Sequence, residues 1–241
     1  VIRRQAASTN ERTLISTVIQ PGDLCGDNLE VSQPFNALGE PMLSPNQLLS
    51  LTGILNSFVI DFVIRRKVTT NLNKFYLYQL PVPIEAVEED ESSWSQAIAA
   101  RVARLVCCSD AFEGLWADAW RDEWSRDKLW LADGAAISYG PKHEIEVRRS
   151  LCQTAAGVSA SWRPPCGVYD RTEERRDSGD RAQLRAEIDA YVAHLYGLSR
   201  EDLEYILGTF PVLERKERAA FGEFMSKRKC LEEYDRIGAI L

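Results

Sequence analysis

The chain has 241 residues and a formal net charge of −7, with 45% hydrophobic and 27% charged residues. That apolar fraction excludes disorder over the whole length, and 14 Gly with 10 Pro exclude a collagen-like or linker-like chain. The most apolar stretch, Leu48 to Ile64, is interrupted by Ser50, Thr52, Asn56 and Asp61, whereas a membrane span needs about 20 predominantly apolar residues.

At roughly 100–200 residues per domain, one large or two small domains are expected. Residues 1–85 carry seven Lys/Arg and seven Asp/Glu, so the rest of the chain supplies the whole negative charge. Pro81-Val82-Pro83 followed by Glu88-Glu89-Asp90-Glu91 marks a boundary. The expected division is 1–87 and 88–241.

In chain order, Thr13 to Ile19 is rich in β-branched residues and stops at Pro21-Gly22, which predicts a strand and a turn. Asn28 to Ser32 reads as a second short strand. Ser44-Pro45 opens a long helix, Asn46 to Arg66, apolar on most sides and expected to pack against a sheet. Phe75 to Leu80 reads as another strand, ended by Pro81.

The second segment is expected to be mainly helical. Trp94, Ile98, Val102, Leu105 and Val106 mark a helix over 93–108, continued by Ala111 to Trp120 after a break. Residues 125–178 are the least periodic, with one helix at Glu144 to Leu151. Helicity returns at Arg181 to Tyr196 and stops at Gly197. Ser199 caps a short helix ending at Leu207, before Gly208. Arg215 to Ile237 reads as the last helix. The fold class is α+β, a small mixed α/β segment followed by a mainly helical portion.

Catalytic chemistry is thin. No P-loop, G-x-S-x-G or G-x-G-x-x-G is present. The six cysteines form no C-x-x-C pair and there are two histidines, so no metal site is expected. His194 reads as a helix-end residue and His143 as a loop residue. Glu144 and Glu146 with Arg148-Arg149 look faintly like a nuclease cluster. The tryptophans are expected to serve packing. A leader ahead of Val1 is not expected, so a reducing cytoplasm with free thiols is expected, and the missing initiator Met suggests a piece of something larger.

Two polar clusters flank the apolar elements of the first segment, Ser8 to Thr13 and Arg65 to Lys74. Asn, Thr, Arg and Lys can hydrogen-bond phosphates and base edges. The acidic pI of about 5.1 argues against a free-standing DNA binder.

The order of motifs is informative. Thr9-Asn10-Glu11-Arg12-Thr13-Leu14-Ile15 comes first, then Leu55-Asn56-Ser57-Phe58 to Arg65-Arg66-Lys67, then Leu72-Asn73-Lys74-Phe75 to Pro81-Val82-Pro83. Leu184 to Leu198 and Asp202 to Val212 close the series. This resembles the C-terminal target-recognition region of large bacterial N6-adenine DNA methyltransferases of the Type IIG restriction–modification and phage-defence kind, over residues 6–85 and 170–236.

The resemblance implies a DNA-reading role at Asn10, Arg12, Thr13, Arg66, Lys67, Thr70, Asn71, Asn73 and Lys74, with double-stranded DNA as partner. It implies an upstream catalytic domain that binds S-adenosylmethionine and carries an Asn/Asp-Pro-Pro-Tyr/Phe motif. In this chain the only Pro-Pro, Pro164-Pro165, lies between Arg163 and Cys166, so no catalytic residue and no cofactor are expected here. Two other readings stand beside it. One is a helical module that docks on a partner or on the catalytic domain; the other is a nuclease using Glu144, Glu146 or Asp170.

Overall fold

The computed structural model describes residues 1–7, 9–84, 93–107, 110–121, 124 and 174–240. The expected helix at 144–151, the nuclease candidates Glu144, Glu146 and Asp170, His143 and Pro164-Pro165 lie outside them, as does the irregular stretch up to residue 173. The described chain is mainly helical with one small two-stranded antiparallel sheet, broadly compatible with α+β.

The sheet pairs β1 (Ile2–Arg3) with β2 (Leu29–Glu30), Ile2 opposite Glu30 and Arg3 opposite Leu29. The second expected strand is therefore present in short form. The first is not a strand. Ser16 makes an isolated bridge to Ile2, and the Arg3 N–H donates to Ile15 O at 2.9 Å. Side chains take the neighbouring ladder donors: the Thr13 N–H goes to the Asp61 carboxylate and the Ser16 N–H to Asn56 Oδ1.

The expected helix over 46–66 is two helices, α1 (Pro45–Leu55) and α2 (Phe58–Ile64), bent by 61°. A capping box of Ser44 and Gln47 starts α1, with Pro45 in the first turn. It ends because the Asn56 amide donates to Ser16 O at 2.9 Å, and Ser57 Oγ then accepts from Ile60 N to start α2. Asn and Ser offer the backbone such alternatives, so they favour caps over helix interiors. Among the described residues, no single helix is long and apolar enough to cross a membrane.

Phe75 to Leu80 is also not a strand. It contains a short helix, α3 (Lys74–Leu77), which leaves Phe75 and Tyr78 exposed at i, i+3 while Leu80 is buried. Alternation of aromatic and aliphatic residues misleads here because the inward positions follow the helical period.

The remaining elements are α4 (Ser93–Val106), a 3-10 turn (Asp110–Phe112), α5 (Glu113–Ala119), α6 (Glu174–Leu195), α7 (Arg200–Gly208), α8 (Pro211–Phe221) and α9 (Met225–Gly238). Ser199 and Asp202 form the capping box of α7, as its sequence predicts, although Gly208 is its last residue. Gly197, at φ 63°, follows the end of α6. The expected last helix is split, because Gly222 adopts φ 79° and Glu217 accepts from the Ser226 N–H at 2.7 Å to open α9.

Among the described residues, the expected sheet beneath α1 is not found. The partner of α1 is α4, which in turn packs on α6, and α6 on α9. Residues from both expected segments join one hydrophobic cluster, including Leu49, Ile60, Ile98, Val102, Val192 and Leu207. Trp116, Trp120 and Trp124 pack on one another with centroids 5.6–5.9 Å apart, and Trp124 Nε1 donates to Gln96.

Gly53 is where α1 meets its neighbours. A Cβ there would sit 2.5 Å from Ile98 Cγ2 and 2.8 Å from Val102 Cγ2. These are rigid β-branched methyls on a buried helix, so overpacking is expected. Gly53→Ala should destabilise the protein by about 1–3 kcal/mol, read as a lowered midpoint in urea. An unchanged midpoint would show that α1 and α4 can separate freely, contrary to this packing.

Candidate nucleic-acid interface

The segment 66–74 is held from beneath and from one side. Val68 and Leu72 are its buried anchors. The N-terminal residues pair with it: the Ala6 N–H donates to Thr70 O at 3.0 Å, the Leu72 N–H to Arg4 O at 2.8 Å, and Gln5 bridges Asn71. With the backbone so fixed, Arg66, Lys67, Thr69, Thr70, Asn71, Asn73 and Lys74 are all exposed. Loops fixed on a rigid scaffold are where recognition residues commonly sit.

The cations in this segment have defined neighbours. The Arg66 guanidinium lies 4.2 Å from the centre of the Phe62 ring. Lys67 Nζ donates to Gln79 Oε1 at 3.2 Å, and Lys74 Nζ lies 3.0 Å from Glu30, whose carboxylate raises the Lys74 pKa. Exposed pairs of this kind contribute little and exchange readily with other anions.

The other predicted cluster is elsewhere. Thr13 is fully buried, and the half-buried Arg12 points into the protein. Arg12 Nε donates to Asp61 Oδ2 at 2.8 Å, its Nη2 donates to Asn56 O, and its guanidinium lies 4.0 Å from the Phe58 ring centre. The half-buried Asn10 gives its carbonyl to Arg65 Nη2 at 3.0 Å. Arg65 in turn reaches Thr209 O at 2.9 Å and covers Phe210. In this conformation Arg12 and Thr13 build the interior rather than offer themselves to a ligand.

Sequence reasoning missed the centre of that cluster. Asp61, with no exposed side-chain surface, accepts from Arg12 and the Thr13 N–H and faces Arg65 Nε at 3.5 Å. Close by, the buried Asp189 accepts from the Phe58 N–H at 2.6 Å. Burial pushes the Asp189 carboxyl up to about 6, against the opposing pull of Arg12 and the Phe58 N–H. The available signal was a single acid in Phe58-Val59-Ile60-Asp61-Phe62-Val63-Ile64, since a carboxylate amid apolar residues requires a cationic partner.

Among the described residues, no group of three His, Cys, Asp or Glu is arranged to hold a metal ion, and Cys25 and Cys230 are free thiols. His194 sits at the end of α6, stacked on Tyr234 at 3.9 Å, with Nε2 2.9 Å from Tyr234 O. No family model matches the chain, and neither a curated protein nor a solved structure matches it.

Proposed function

We propose that this chain is the DNA-reading portion of a bacterial adenine-specific DNA methyltransferase, of restriction–modification or phage-defence type, and is not catalytic by itself. The observation that carries this reading is the fixed, exposed segment 66–74, with three cations and the amides of Asn71 and Asn73 on one backbone. The ordered motifs quoted above give the same direction. S-adenosylmethionine would be held by an upstream catalytic domain, with this chain contributing one wall of the duplex site. The reading set narrows to Arg66, Lys67, Thr70, Asn71, Asn73 and Lys74. Arg12, Thr13 and Asn10 then act by holding the scaffold.

The test is fluorescence anisotropy of the chain with a mixed-sequence duplex over a salt series. Binding should weaken linearly on a log–log plot, and Lys67→Ala should reduce the slope by about 1, as expected for one lost phosphate contact. In the parent enzyme, Asn73→Ala should alter the methylated site without unfolding the protein. No duplex binding at low salt would overturn the reader.

That outcome would favour docking on a protein, supported here not by the helical portion but by the stretch that precedes α1. Residues 13–64 contain no Lys or Arg. Within them Phe35 and Pro41 bridge a small hairpin that exposes Leu38 and Met42, and Leu24 is fully exposed nearby in sequence. Asp23, Asp27, Glu30 and Glu40 lie in the same stretch. An acidic, apolar arm is repelled by phosphate and suits a protein surface with basic residues at its rim.

A further inference from the structure

The cationic segment does not end at Lys74. Phe75, on α3, is 68% exposed, and Tyr78, which caps the end of α3 three residues on, is 82% exposed; the Phe75 ring meets Tyr76 edge-on at 5.7 Å. A lone exposed apolar residue needs no explanation, but neighbouring exposed rings bordered by cations form a patch of the kind that marks an interaction site. Cations stand at both ends of the pair. Lys74 directly precedes Phe75, and Lys67 bonds to Gln79, the residue after Tyr78. From Lys67 the surface continues to Arg66, which covers Phe62, and Phe62 meets the 62%-exposed Tyr205 edge-on at 6.1 Å. Two pairs of rings, Phe75 with Tyr78 and Phe62 with Tyr205, are thus linked through Lys67 and Arg66, with Lys74 at the far end.

We propose that this strip binds an unpaired nucleic-acid strand, its bases stacking on Phe75 and Tyr78 and its phosphates lying against Lys67, Lys74 and Arg66. A paired duplex offers rings no base face, because its bases already stack on one another; exposed rings flanked by cations suit a strand whose bases are free. Stacking is indifferent to base identity, so this contact supplies affinity, and selection is left to the amides of Asn71 and Asn73. Glu30 is paired to Lys74, and Glu204, next to Tyr205 in sequence, is paired to Lys227 and Arg200. The inference borrows from the proposed function only the assignment of this face to nucleic acid.

The test uses the whole chain and two labelled probes, a short oligothymidylate and a mixed-sequence duplex, at low salt. Phe75→Ala and Tyr78→Ala are each expected to weaken oligothymidylate binding about five- to hundredfold. Phe75→Tyr and Tyr78→Phe should retain it, because the ring is what matters. A 2-aminopurine placed in the strand should lose fluorescence on binding to the native chain and regain it with the alanine variants. Both side chains are exposed, so circular dichroism should show all variants folded. Oligothymidylate binding unaffected by either alanine overturns the strip and leaves the duplex reading intact. Binding of the duplex but not the single strand does the same. Failure of both probes overturns both readings.

Discussion

Asp61→Ala should cost the protein about 3–5 kcal/mol, a large part of the roughly 5–15 kcal/mol that holds a domain of this kind folded. The carboxylate has no exposed surface and faces two guanidiniums, Arg12 Nε at 2.8 Å and Arg65 Nε at 3.5 Å. It also receives the Thr13 N–H through both oxygens, at 3.0 and 3.1 Å. Removing it leaves two partly or fully buried positive charges together and orphans a buried backbone donor. Asp61→Asn should cost less, since the amide oxygen can still accept from Thr13 while the charge is lost. Urea denaturation followed by circular dichroism reads both. A loss below about 1 kcal/mol for the alanine variant would show that Arg12 and Arg65 find other anions, Asp189 being the nearest in kind. The same geometry revises what a change at Arg12 reports. A functional loss in Arg12→Ala would first reflect a weakened fold, so Asn73 and Lys67 are the better probes of the proposed reading.

This hub also shows where a linear sequence stops being legible. Helix α4 begins where its apolar spacing predicts, and α7 begins at its cap, because the signals for both are local: a 3.6-residue period and a serine three residues before an acid. The two failures around Asp61 and Asn56 share one cause. Thr13 to Ile19 has the composition of a strand, but its donors at 13 and 16 are claimed by Asp61 and Asn56, 48 and 40 residues away. The break in the expected helix over 46–66 is the other half of that exchange, since the Asn56 amide that holds Ser16 ends α1. The polar segment after α2 was visible as a candidate surface, and the structure adds what composition lacks: Val68 and Leu72 as anchors and residues 4–6 as its backbone partner. Arg12 looked equivalent to Arg66 in sequence. One is turned inward by a buried carboxylate and the other lies over an aromatic ring at the surface.

The second large effect lies between α4 and α6. Arg101 and Glu187 are both without exposed side-chain surface and meet at 2.7 Å, Nε to Oε2. Arg236 from α9 approaches the other carboxylate oxygen at 3.3 Å, so Glu187 joins three helices. Glu187→Ala is expected to cost about 3–5 kcal/mol, because it withdraws the anion from a guanidinium that still has to lie inside the bundle against Ala97 O and the Tyr191 ring. Glu187→Gln keeps an acceptor for Arg101 Nε and should cost less. The informative variant is the double replacement Arg101→Met with Glu187→Leu, which removes both charges and returns similar volume. Buried pairs exchanged in this way are often neutral or stabilising by about 1–4 kcal/mol, because neither ion has to leave water. A double variant as stable as the native chain, beside a strongly destabilised Glu187→Ala, would mean that the pair fixes how α4, α6 and α9 register without adding net stability. A double variant as poor as the single one would mean that the carboxylate is needed for Arg236 as well, and that the three helices are held by the whole network and not by one pair.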